Sequence, residues 1–211
     1  IDHPTMVKDG SGWGAMTGLS AAKLAEKGFT GAPAITVENE KAFWSDIGKH
    51  WYMSEQYYKP YPVCRWAQAP IEGAKKLSAK YGFKSSDIKK IEVDTFHEAV
   101  RLATNQPTTT EEAQYSTSFP VAVALARGDV TPQDISDEAL NDRAIVKLSK
   151  CLVMRESEKA NEQFPENRLA KVTIILKNNT SYEGEWIEPK WDAKTPPSEH
   201  DILDKFHTLS E

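Results

Sequence analysis

The densest chemical cluster in the chain is Tyr57-Tyr58-Lys59-Pro60-Tyr61-Pro62-Val63-Cys64-Arg65-Trp66, in which a lysine, an arginine, a cysteine and three tyrosines surround two prolines. Proline fixes φ and stiffens a turn, so the polar groups beside it hold defined directions. Lys59 and Arg65 together suit an anion, because a guanidinium grips a carboxylate with two parallel hydrogen bonds and an ammonium acts as a point charge. The same composition also reads as an aromatic, proline-rich connection between domains. Cys64 as a nucleophile needs a basic partner close by, and none is evident. A further cation, Lys8, stands just before Gly10-Ser11-Gly12-Trp13-Gly14. Free N–H groups where a glycine turn opens a helix attract anions, so Lys8 is well placed for a carboxylate. No buried strand precedes these glycines, which argues against a dinucleotide or Walker-type site.

Other patterns point away from chemistry. His97-Glu98 lacks the second histidine four residues on that a metalloprotease helix needs. Cys64 and Cys151 form no CxxC pattern, so no zinc or thioredoxin motif is expected. They are readable as one disulfide or, more simply, as two thiols in a reducing cytoplasm. Asn178-Asn179-Thr180 fits a glycosylation signal but is first a hairpin turn. His200 and His207 fall on a closing helix as surface residues.

Lysine and arginine total 26 against 31 aspartates and glutamates, a net charge of −5, with no basic stripe to neutralise phosphates, so no nucleic-acid partner is expected. Lys75-Lys76 and Lys89-Lys90 read as solvated faces. No run approaches the roughly 18 apolar residues of a membrane span, and no basic-then-apolar signal opens the chain. Apolar residues make up 39% of 211 residues, enough for a core but with little surplus.

The elements that must position these residues are legible in part. Gly12–Lys27 has helical spacing of small and apolar residues, including Ala15, Leu19, Ala22 and Leu24, with Gly28 past its end. A second helix is predicted from an Asn39 cap to Ile47, and a third over Arg65–Tyr81, closed by Gly82. Ile88–Asp94 predicts a strand. Thr110–Arg127 is helical with Thr110 as cap, and Pro120 either kinks it or occupies the first turn of a helix over Phe119–Arg127. Thr131–Ile135 and Asp137–Lys150 continue helically. Cys151–Arg155 adds a strand, and Leu169–Leu176 with Thr180–Ile187 predicts a hairpin about Asn178-Asn179. Helices first, strands mixed with helices next and one closing helix give an α+β fold. The chain starts with Ile1 ahead of a glycine turn and stops in a helix barely begun at Ser198–Glu211, which suggests a piece of something longer.

Three stretches in series are familiar: MVKDGSGWGAMTGLSAAKLAEKGFTGAP at Met6–Pro33, KPYPVCRWAQAPIEGA at Lys59–Ala74 and EEAQYSTSFPVAVALARGDVT at Glu111–Thr131. Together they resemble the MmgE/PrpD family, which includes 2-methylcitrate dehydratase, cis-aconitate decarboxylase and iminodisuccinate epimerase. The resemblance implies an all-helical domain whose chain leaves and returns, an inserted α+β lid, and a homodimer. Residues 1–57 would end the first helical segment, 58–196 form the lid, and 197–211 begin the return. Lys59 resembles the active-site lysine of the family's K-x-[FY]-P turn at the lid boundary. Lys8 resembles the one before the Gly/Ala-rich helix, although some members carry it at the Val7 position. Many members have a histidine where Gln68 stands, which leaves no acid–base group there. The family's catalytic aspartate and histidines would come from an N-terminal helical region of the same or a companion chain.

These family reactions share one step, removal or delivery of a proton next to a carboxylate. Lys8, Lys59 and Arg65 would hold the carboxylates of a small di- or tricarboxylate and stabilise developing enediolate charge. A base tuned towards neutral pH is needed, and His97 and Tyr115 are the local candidates, although each reads more readily as a surface or structural residue. The chemistry requires no metal or organic cofactor, and the chain lacks the three cysteines of an iron–sulfur site. The reading is a hydro-lyase or related lyase. The alternative is a non-catalytic half or interaction module of a split or degenerate member.

Overall fold

The computed structural model describes residues 11–210. They divide into two compact units, one up to Glu55 and one from Gln56 onward. In the first unit, α1 (Ser11–Glu26) ends at Gly28, whose φ of +85° is open to glycine at no steric cost. The second helix differs from expectation. Asn39 ends a short α2 (Ile35–Asn39) instead of capping a longer helix, and Lys41–Trp44 form a 3₁₀ turn. There the Ser45 hydroxyl donates to the Ala42 carbonyl at 2.9 Å. Such local side-chain bonds compete with propagation of a helix.

The second unit begins with the stiff turn at Lys59–Val63 and α3 (Arg65–Tyr81), whose Gly82 C-cap is left-handed. Next come β1 (Ile88–Thr95), the single-turn α4 (His97–Val100), α5 (Thr110–Tyr115) and α6 (Ser118–Arg127). The predicted Thr110–Arg127 helix is thus two. Thr109 caps the first, its hydroxyl accepting from the Glu112 N–H. Pro120 lies in the first turn of α6, where an N–H would have no intrahelical acceptor, so its missing donor costs nothing. Ser116 breaks the run with extended backbone, and its hydroxyl accepts the Phe119 N–H at 3.0 Å.

Of the two stretches read as helical, Thr131–Ile135 holds a 3₁₀ turn at Pro132–Ile135, and Asp137–Lys150 holds a 3₁₀ turn at Ala139–Asn141 and then α7 (Arg143–Ser149) capped by Asp142. It is followed by β2 (Leu152–Glu156), α8 (Glu158–Gln163), β3 (Ala170–Leu176), β4 (Ser181–Glu183) and α9 (Glu199–Ser210).

The strands form one mixed sheet in the order β2-β1-β3-β4. β1 pairs parallel with β2 and antiparallel with β3, and β3 pairs antiparallel with β4. The hairpin turns at Asn179, which adopts φ +66°, as asparagine does more readily than other side chains. Its strand β4 is shorter than predicted, although an isolated bridge between Ala170 and Ile187 extends the pairing. This is the α+β architecture expected from the order of elements.

The core lies where α3 covers β3 and packs on α6, with α7 against α6. It is filled by side chains such as Ile71, Ile91, Val93, Phe119, Val172 and Ile174, all fully buried. Each contributes on the order of 1.5–3 kcal/mol of hydrophobic stabilisation. Helix and sheet meet closely at Gly73, where a Cβ would fall 2.8 Å from Val172 Cγ2. A smaller cluster joins Phe96, Ala99 and Ala160 to Trp66 and Phe164, with the Phe96 and Phe164 rings stacked at 4.4 Å.

Candidate functional site

The Lys59-Pro60-Tyr61-Pro62-Val63 turn is fastened from within α3. Gln68, fully buried one turn into that helix, donates from Nε2 to the carbonyls of Tyr61 at 3.0 Å and Val63 at 3.2 Å. The Cys64 N–H donates to the Gln114 carbonyl at 2.7 Å. Gln68 therefore acts as a strut under the turn.

A second fastening comes from Arg65, only 3% exposed. Its Nη1 donates to the carbonyls of Lys190 at 2.8 Å and Tyr58 at 3.2 Å, and its Nη2 pairs with Asp192 at 3.1 Å. The guanidinium also lies 4.2 Å from the centre of the Tyr57 ring. Burial pulls its pKa below the ordinary arginine value, and Asp192 works in the opposite direction. The Tyr58 N–H donates to the Trp191 carbonyl at 3.0 Å. Residues 189–192 are thus strapped to the start of the turn, and Trp191 sits in the left-handed region at φ +64°. A bulky residue there costs on the order of 1–2 kcal/mol, and such conformations persist only where their surroundings enforce them.

Between this turn, the loop at Asp129–Pro132 and α9 lies a cleft of about 320 Å³. Tyr61 is its hub. Its hydroxyl donates to Glu72 and accepts from Lys75 Nζ at 3.2 Å. Burial first, then the Glu72 carboxylate, push the phenol far above its usual pKa, so it stays protonated. Lys75 pairs with Asp129 at 2.7 Å, and Lys190 with Glu72 at 2.8 Å. From α9, Asp201, Asp204, Lys205, Thr208 and Leu209 face the cleft, an i, i+3, i+4, i+7, i+8 set that defines one helical face. Asp201 caps its own helix, accepting from the Ser198 N–H at 2.9 Å and from its hydroxyl at 2.6 Å. Lys205 Nζ donates to the Lys59 carbonyl and lies 5.9 Å from the centre of the Trp191 ring. Burial, and then the Lys59 charge, hold the Lys205 ammonium below the ordinary lysine value.

The predicted site residues are distributed unevenly. Lys8 lies outside the described residues. Lys59 is half-buried and does not itself line the cleft, but its carbonyl accepts from Lys205, which does. Arg65 stands six residues further on, but it lines a separate cavity of about 200 Å³ together with Arg168, Glu188 and Asp192. His97 is exposed, its Nδ1 3.0 Å from Glu156 Oε2 and its N–H bonded to Asn161 Oδ1 at 2.7 Å. The His97 and Asn161 hydrogen bonds hold the Glu156 carboxyl below its usual pKa. Tyr115 ends α5 half-buried. Neither lines the cleft, and among the described residues no histidine does. Lys205 and the Tyr61–Glu72–Lys75 network were missed from sequence. The spacing along α9 carried a signal for Lys205, whereas its neighbour Lys59 lies 146 residues away.

No disulfide joins Cys64 and Cys151. Among the described residues no helix is long and apolar enough to cross a membrane, and no group of three or more His, Cys, Asp and Glu side chains is placed to hold a metal ion. A search of curated proteins returned no match. The family model of the MmgE/PrpD C-terminal domain, in contrast, matches residues 61–211, the stretch that runs from the hub tyrosine of the cleft through α9, and the chain belongs to that family.

Proposed function

We propose that the cleft beside Lys59 receives a carboxylate of a small di- or tricarboxylate, and that the protein is a hydro-lyase of the 2-methylcitrate dehydratase type. Family membership supports a lyase- or dehydratase-like role at the family level. The observation that carries the finer reading is Lys205, which lines the cleft and donates to the carbonyl of Lys59 just outside it, while the other lining lysines are already paired with carboxylates. In this mechanism a base removes the proton next to one carboxylate, and the charge moves onto that carboxylate as an enediolate. Lys59 and Lys8 stabilise it, and the β-hydroxyl then leaves with a proton as water. Arg65 takes part by holding the turn that carries Lys59.

Because no histidine among the described residues lines the cleft, the base is assigned to a helical region of the same or a companion chain. His97 and Tyr115 are then secondary candidates. The functional unit is a homodimer in the cytoplasm. The unit up to Glu55 exposes Phe43 at 74%, Trp51 at 68% and Met53 at 77%, large apolar side chains that would suit an interaction surface if they are contiguous.

The same exposed residues favour a second reading, a non-catalytic module that binds carboxylates and partners without turnover. Incubation with 2-methylcitrate or cis-aconitate, with and without the helical region supplied, separates the two. Loss of substrate with the region present supports the lyase, and carboxylate binding without any turnover supports the module.

A further inference from the structure

We propose that Lys205 is a substrate-binding residue, forming with Lys59 a two-cation subsite for one carboxylate group at the rim of the cleft. The inference rests on the reading of the cleft as a carboxylate site and adds a residue from the closing helix to it.

Lys75 is paired with Asp129, and Lys190 with Glu72. Asp201 is occupied by the Ser198 N–H and hydroxyl, and Asp204 faces His200 at 3.3 Å. Among the described residues neither Lys205 nor Lys59 has a carboxylate within ion-pair distance, and the charge that bears on Lys205 is the like charge of Lys59.

Holding Lys205 partly desolvated against the Lys59 backbone, with the like charge of Lys59 bearing on it, is unfavourable unless an anion joins the two. Lys205 is nevertheless held there. Its Nζ donates to the Lys59 carbonyl, and the Trp191 ring lies beneath it at 5.9 Å. Trp191 in turn keeps a left-handed backbone while its carbonyl accepts from the Tyr58 N–H. The hydrogen bond uses one of three ammonium donors, which leaves two for a ligand. Asp201 and Asp204 on the same helical face repel a second carboxylate at that end of the cleft. They therefore direct the rest of a polycarboxylate towards the Lys59 side.

Calorimetry with citrate, a tricarboxylate, and propionate, a monocarboxylate, tests this on the unsubstituted chain and on Lys205→Gln, Lys205→Arg and Lys205→Met. Charge-assisted bonds of this kind support a loss of about tenfold or more in citrate affinity for Lys205→Gln. The expected loss for propionate is smaller, and Lys205→Arg retains most citrate binding. Absence of citrate binding to the unsubstituted chain, or unchanged citrate affinity in Lys205→Gln, overturns the subsite. So does an equal loss for both ligands that tracks a fall in melting temperature across Gln and Met, because that marks a strut and not a ligand site. The two proposals fail separately. Turnover that needs Lys59 alongside citrate binding indifferent to Lys205 removes the subsite and keeps the lyase. Citrate binding that needs Lys205 without turnover of any polycarboxylate keeps the subsite and removes the lyase.

Discussion

A buried cation must be repaid by its neighbours, and Arg65 shows how this chain does it. Its two Nη atoms reach the Tyr58 and Lys190 carbonyls and the Asp192 carboxylate. A lysine at that position carries its donors on a single atom and lacks the planar fork. Arg65→Lys should therefore leave buried carbonyls unsatisfied and lower stability by about 1–3 kcal/mol, read as a lower urea midpoint. An unchanged midpoint would mean the tether is dispensable. In the sequence, Arg65 was visible as a cation next to Lys59, but its assignment to the chain's own carbonyls was not. Its partners at Lys190 and Asp192 lie 125 and 127 residues away, and no local pattern encodes them. Gln68 is similar, since its side chain explains the turn only once Tyr61 and Val63 are seen to curl back over α3.

Elements with a strong internal pattern were the legible ones. α3 occupies the predicted Arg65–Tyr81, because its apolar face, the Pro60 and Pro62 corner before it and the left-handed Gly82 after it all agree. The helix predicted from Asn39 and the single helix over Thr110–Arg127 were misread because serine hydroxyls at 45 and 116 turn the backbone locally. The turn after α6 shows what such local bonds are worth. Thr131 and Asp134 form a capping box, with Asp134 Oδ2 accepting from the Thr131 N–H at 2.8 Å and its hydroxyl at 2.7 Å, while Oδ1 accepts from Arg127. Burial alone would raise the Asp134 pKa, but the Thr131 bonds and Arg127 outweigh it and hold the carboxyl below its ordinary value. A carboxyl whose folded pKa is depressed contributes stability that is complete above its unfolded pKa of 3.8 and is lost as pH falls through the lower folded value. Asp134→Asn should therefore flatten the acid limb of the stability–pH curve and lower the neutral plateau. Parallel curves for the two proteins below pH 4 would contradict this. The loop involved forms one wall of the cleft, so citrate binding should weaken along with it.

At the scale of the whole molecule, the unit up to Glu55 exposes large apolar side chains while the unit from Gln56 onward builds its own core. Sedimentation should show concentration-dependent association, and Phe43→Lys with Trp51→Lys should shift the chain to monomer. A monomer at all concentrations without substitution would remove the homodimer. The family was legible because three motifs occurred in order, while the closing helix's part in the cleft was not, since it depends on packing across most of the chain. The central claim, that Lys59 anchors a site for proton removal beside a carboxylate, is tested most directly by the rate of polycarboxylate turnover in Lys59→Ala with the helical region present. The predicted result is a loss of about a hundredfold or more at unchanged melting temperature, and near-normal turnover would contradict it.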